Sequence, residues 1–175
     1  KWSWIAEVRS VPDFKQISPK LINVMMSSKE NEHGRTLYVD LPKLRNPIPL
    51  FTLFKVLGVD NDKEICEYIL LNIKEKDTKF LRLLKASIVD SSNIKSQEEA
   101  FEHIMSNVQF TTYKNQPSNQ SRKIAYTREI ISTEFFPHCK SDKEKLYFLG
   151  YMTLRLLKPY MGILTESDRD SYENK

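Results

Sequence analysis

The chain has 175 residues, 40% of them hydrophobic and 29% charged, enough apolar material for one proper core but short for two, so residues 1–175 are read as a single domain. Its 27 basic and 23 acidic side chains leave a net charge of +4, mildly basic and short of the concentrated charge of a dedicated DNA-binding domain. No apolar run reaches the ~18 residues that a membrane span needs, and the opening Lys1–Trp4 does not have the form of a signal peptide. Two isolated cysteines, Cys66 and Cys139, fit a reducing compartment, leave a disulfide open, and cannot form a metal quartet by themselves. The absence of an initiating methionine suggests a piece of something longer.

Trp2, Trp4, Ala6 and Val8 alternate with polar residues, a period of two that predicts a strand, and Val11-Pro12-Asp13 breaks it. Lys20–Ser27 reads as a second strand, Glu30–Gly34 as a polar turn and Arg35–Leu41 as a third strand. Short links between them favour an antiparallel meander, since parallel strands need long crossovers. Leu41–Val59 is a proline-stiffened crossing that changes character at Pro49: Leu50, Leu53, Phe54 and Leu57 recur at helical spacing before Gly58 stops them.

Beyond Gly58 the periodicity is helical. Asp60 or Asn61 caps a helix to about Ile73, and Asp77 or Thr78 starts another with Phe80, Leu81, Leu84 and Ile88 inward. Ser96–Glu99 is a capping box for a helix carrying Phe101, Ile104, and Met105 or Val108. Tyr113–Arg122 is a surface loop, and Ile124 to Phe135 the next helix, stopped near Pro137. A second box, Ser141–Glu144, opens the longest pattern, with Leu146, Leu149, Met152, Leu156 and Leu157 as its stripe and Pro159 or Gly162 as its end. The polar tail Thr165–Lys175 is expected to be partly extended. The fold class is therefore α+β, a small antiparallel sheet near the N-terminus packed with a mostly helical remainder.

A catalytic constellation is hard to find. His33, His103 and His138 lie in different segments without metal-ligand spacing, and the four glycines stand singly, so no phosphate-cradling loop exists. The candidates for a metal-dependent hydrolase are His138 and Cys139, with Asp168 and Asp170 as carboxylates that an extended chain would place on one side. The tail reads better as a solvated segment and His138 as a helix-end residue. Lys114, Arg122, Lys123 and Arg128 gather around the polar loop with Tyr113 and Tyr126 between them, a mixture able to touch phosphates and stack on bases. Lys43, Arg45 and Lys55 form a second, thinner basic edge. A solvated face is the plainer reading of both.

Five blocks of this sequence, in order, resemble one family. They are Ala6-Glu7-Val8-Arg9-Ser10, the crossing Leu41–Val59, Glu134-Phe135-Phe136-Pro137-His138, Phe148-Leu149-Gly150-Tyr151-Met152 followed by Arg155-Leu156-Leu157, and Asp168–Lys175. Together they resemble the lobe domain, domain 2, of the second-largest subunit of multisubunit DNA-directed RNA polymerases. The resemblance implies a noncatalytic jaw beside downstream duplex DNA that docks other polymerase subunits, among them a small zinc-ribbon subunit, and initiation factors. It implies no cofactor in this domain, with Mg and Zn elsewhere in the polymerase, and no membrane partner; the candidate DNA-facing residues, Lys114, Arg122, Lys123 and Arg128, come from the basic cluster around the polar loop and not from the resemblance. Gln116–Ser121 and the loop near Glu30 depart from cellular forms. With the lysine- and asparagine-rich composition, they point to a large nucleocytoplasmic DNA virus, whose enzyme would act in the host cytoplasm and virion; a cellular one would act in the nucleus. A helical protein-interaction adaptor is the alternative from another class, ahead of the hydrolase.

Overall fold

The computed structural model describes residues 2–9, 21–71, 73, 78–110 and 119–173. The Val11-Pro12-Asp13 breaker, Tyr113 and Lys114 lie outside them. The chain is α+β. Strands β1 (Trp2–Arg9), β2 (Leu21–Ser27), β3 (Leu37–Asp40) and β4 (Ile48–Pro49) form one antiparallel sheet in the order β1-β2-β3-β4. The meander read from the sequence is present, extended by the two-residue β4 at its edge. Backbone register sets Trp4, Ala6 and Val8 opposite Met26, Val24 and Ile22, whose side chains are buried. The polar link between β2 and β3 turns at Gly34, whose φ of +118° suits glycine because no Cβ crowds the carbonyl there. The Asn31 side-chain oxygen accepts from the His33 N–H and helps close it.

The crossing turns from strand to helix at Pro49, where the sequence places the change. Helix α1 spans Leu50–Val56 and is buried on every side. It is too short to be stable alone, so its surroundings hold it: β3 and β4 on one side, α4 (Gln97–Ser106) on another, with α2 (Asp62–Ile69) and α3 (Thr78–Asp90) beyond. Gly58 follows with φ +106°. The same burial overturns one expectation. Lys55, read as part of a basic edge, is only 3% exposed. Its Nζ donates to the carbonyls of Ser91 (2.8 Å) and Ile94 (2.7 Å) and lies 3.7 Å from Asp62 Oδ1. The ammonium thus neutralises carbonyls left open after α3 and ties three elements together.

Caps behave largely as their spacing predicts. Asn61 accepts from Lys63 N–H, and Ser96 and Ser141 accept from the amides of Glu99 and Glu144. The two glutamates reach one residue further back than a capping box requires, to the N–H groups of Lys95 and Lys140. Ser87 on α3 accepts from the Leu37 N–H at 3.0 Å, which fixes that helix to the start of β3. Leu81, expected inward on α3, is 38% exposed.

Two departures concern the last third. Helix α5 (Asn119–Glu129) begins inside the stretch read as a loop and runs into a π-helical turn, Ile130–Glu134. Thr133 donates back to Glu129 O, and the Lys145 ammonium donates to the carbonyls of Ile131 and Ser132, both at 2.9 Å. Burial holds that ammonium below its ordinary pKa. Helix α6 then runs from Asp142 to Glu173 without stopping at Pro159 or Gly162. Proline removes one rung of the helix ladder, and burial of Leu156, Leu157 and Tyr160 on either side offsets it. The extended tail expected after Thr165 is therefore helical as far as Glu173. Leu146, Leu149, Met152, Leu156 and Leu157 are all buried as their spacing requires, and α6 crosses α2 where Gly150 lets the two backbones meet.

Candidate docking and nucleic-acid surfaces

Of the four basic candidates, Arg122, Lys123 and Arg128 fall on α5, and Lys114 lies outside the described residues. At about 100° per residue, Arg122 and Lys123 are neighbours around the helix, while Arg128 stands about 120° from Arg122 on the other side. The structure thus joins two of them and separates the third. Arg122 is exposed and Lys123 half-buried. Arg128 turns toward α4, its guanidinium 5.8 Å from the Phe101 ring centre. Tyr126 packs on Phe110 at 5.6 Å and does not project as a stacking platform.

The second basic edge loses Lys55 and keeps Lys43 and Arg45 exposed. Lys55 is buried, and Lys43 Nζ pairs with the buried Glu134 carboxylate at 2.9 Å and lies 5.8 Å from the Tyr126 ring. The hydrogen bond with Glu134 holds the Lys43 ammonium above its ordinary value. Lys43 has φ +67°, and its carbonyl accepts from Gln109 N–H while Arg45 N–H donates to Asn107 O. The proline-rich crossing is thereby stitched to the end of α4. Glu134, from the Glu-Phe-Phe-Pro-His block, serves this stitch, and the same block holds Phe136 at φ +45°, an uncommon conformation for a residue before proline.

The hydrolase candidates separate. His138 is an exposed ring set edge-on to Phe148 (4.8 Å) and Phe136 (5.9 Å). Cys139 is half-buried, its thiol pushed up by burial, and Cys66 is buried, its thiol pushed up to about 11 by the same cause; both are free thiols. Asp168 and Asp170 sit on helical backbone and not on an extended chain, about 40 Å along α6 from its first turn. Among the described residues no three His, Cys, Asp or Glu side chains converge as metal ligands. Nor is any helix there long and apolar enough to cross a membrane.

A groove that the sequence reading missed runs between α4, α5 and the first turn of α6, with a volume of about 690 Å³. Phe101, Met105, Ile124 and Ile131 are half-buried along its floor, and Glu98, Glu102 and Asp142 are exposed at its rim beside Arg128. The signal was present as glutamates at i and i+4 on α4, but the neighbouring capping box accounts for an acidic first turn without a groove.

Structure and surface together define a class: an α+β domain whose accessible chemistry, among the described residues, consists of a basic helix face and open grooves. The sequence matches the family RNA polymerase Rpb2, domain 2, over residues 18–175, and the chain belongs to that family. It is 30% identical over 183 residues to DNA-directed RNA polymerase II subunit 2 of Arabidopsis thaliana, a match covering 100% of this chain and 15% of that subunit. It is 30% identical to subunit RPB2 of Encephalitozoon cuniculi, covering 97% of this chain and 14% of that subunit. The archaeal subunit Rpo2N of Methanococcus vannielii is 31% identical over 145 residues, 79% of this chain and 27% of that subunit. The chain thus spans about one seventh of the length of the eukaryotic relatives.

Proposed function

We propose that this chain is the noncatalytic lobe, or jaw, of a DNA-directed RNA polymerase, lining the cleft that receives downstream duplex DNA and docking other subunits or initiation factors. The family match across nearly the whole chain carries this reading. In it, nucleotidyl transfer and its Mg and Zn ions belong to other parts of the assembly. The Arg122 and Lys123 face of α5, with Lys114 before it, meets DNA phosphates, an interaction without base information; Arg128, turned into the groove, has no part in it. The place of action is intracellular: the nucleus for a cellular polymerase, the host cytoplasm and virion for that of a large DNA virus.

The test uses polymerase assembled with Lys114→Glu, Arg122→Glu and Lys123→Glu. Complexes on downstream duplex should dissociate at lower salt, and the salt slope should fall by about one for each phosphate that is no longer neutralised. Unchanged slope and stability would remove the cleft assignment. RNA synthesis by this chain alone would overturn the noncatalytic reading.

A further inference from the structure

We infer that the groove between α4, α5 and the start of α6 is a docking site for a basic amphipathic helix of a partner protein. The inference rests on the docking part of the function proposed above and is independent of the DNA-binding part.

Three observations carry it. First, the groove has the form that receives a helix: two helices about three turns long as walls, with Phe101 and Met105 from α4, Ile124 from α5 and Ile131 from the π-helical turn half-buried between them, beside the polar Gln97, Gln120 and Ser132. An apolar floor of this kind accepts side chains spaced i, i+3, i+4 and i+7. Second, the rim has one dominant sign. Glu98 and Glu102, one turn apart on α4, and Asp142 on α6 present three carboxylates against the single guanidinium of Arg128. They do so in a chain of net charge +4, so the acidity is local. Third, the α4 part of this charge is not consumed internally, although Asp142 acts on the buried Lys145 ammonium. Among the described residues none of the three carboxylates lies within salt-bridge distance of a cation, and Arg128 is engaged with the Phe101 ring. Exposed carboxylates around an apolar trough steer and orient a cationic partner and repel an acidic one. That sign also excludes DNA, so the groove and the Arg122–Lys123 face address different ligands from the same helix. Arg128 divides them: its guanidinium lies over the Phe101 ring and, being a cation, turns the lysines and arginines of an incoming helix away from itself and toward the α4 carboxylates.

The test uses the assembled polymerase and a labelled probe peptide, an amphipathic helix of leucine and lysine in heptads, with its leucine and glutamate counterpart as control. Anisotropy titrations compare wild type with Glu98→Lys, Glu102→Lys; both positions are exposed, so the fold is not at stake. The lysine peptide should bind wild type and lose about tenfold or more in affinity on the variant, while the glutamate peptide should show the reverse preference. Phe101→Ala should weaken the lysine peptide without restoring the glutamate one. Binding of the lysine peptide that is absent, or unaffected by the rim reversal, overturns the inference. A photocrosslinker replacing Met105 supplies the natural occupant: capture of a lysine- or arginine-bearing helix from another subunit or factor supports the assignment, and capture of a segment of the same polypeptide, or of nucleic acid, overturns it. Downstream DNA stability, measured on the same rim variants, should not change. A failed DNA assay on the Arg122 and Lys123 variant would therefore strike the cleft reading alone.

Discussion

Replacing Gly150 by alanine should separate two effects that act in opposite directions at one position. Gly150 lies inside α6, where alanine is intrinsically better by about 1 kcal/mol. A Cβ there would sit 2.4 Å from the Tyr68 carbonyl oxygen, 2.8 Å from its carbon and 3.3 Å from Ile69 N. These are backbone atoms of α2 and its end, which no rotamer change can remove. To restore even a 3.0 Å separation, α2 must retreat by at least about 0.6 Å, against the T-shaped Tyr68–Tyr147 pair at 5.1 Å and the Phe54–Tyr68 pair at 6.5 Å. Overpacking of this kind costs about 1–3 kcal/mol, and collision with backbone belongs at the upper end. The net expectation is a loss of about 2 kcal/mol, seen as a lower urea midpoint at unchanged m-value. Gly162, on the same helix with nothing within 4 Å of its would-be Cβ, is the control: Gly162→Ala should stabilise by up to about 1 kcal/mol. If Gly150→Ala stabilises as Gly162→Ala does, the close crossing of α2 and α6 is not where the structure puts it.

Lys55→Met keeps the buried stem and removes the ammonium, leaving the carbonyls of Ser91 and Ile94 and the Asp62 carboxylate without it. A loss of about 3 kcal/mol is expected in chemical denaturation, and a change below about 0.5 kcal/mol would show that water replaces the ammonium. Cys66 supplies a pH dependence. Its folded pKa is raised from 9.0 to about 11, so between those values the folded chain holds a proton that the unfolded chain has released. Stability should be complete below pH 9 and fall as pH rises toward 11, by on the order of 2 kcal/mol. Unfolding followed from pH 8 to 11 should show this slope reduced in Cys66→Ala; an identical slope in the variant would assign the loss to other groups.

The change from strand to helix at Pro49 was legible because proline, helical spacing and a terminal glycine all act locally. The antiparallel meander was legible because the links between the strands are too short for parallel crossovers, whereas the register was not, since β2 buries Met25 as well as Val24 and Met26. What escaped the sequence depended on neighbours distant along the chain. Lys55 reads as solvated until α3 and its exit bring two carbonyls to it. Pro159 reads as a stop because the packing that holds α6 together across it comes from other elements. The π-helical turn leaves no period of its own, and its open carbonyls are met by a lysine from α6. Among the surface candidates, grouping Arg122, Lys123 and Arg128 by sequence ignored a helix rotation that sends Arg128 into the groove. The groove itself is made by three elements, so no single stretch could announce it.

The close approach at Gly150 makes the far end of α6 sensitive to the angle at which it crosses α2. From the crossing at Gly150 the helix continues for 23 residues to Glu173, about 35 Å at 1.5 Å per residue. A 10° change in the angle at which α6 crosses α2 would sweep its far end through about 6 Å. Pro159, with one rung missing, lies partway along this length, and the burial of Leu156, Leu157 and Tyr160 beside it keeps the helix continuous there. The angle of α6 is therefore set at the Tyr68 backbone, and the contacts of α6 with β1, β2 and α3 hold that angle against the core built around α1.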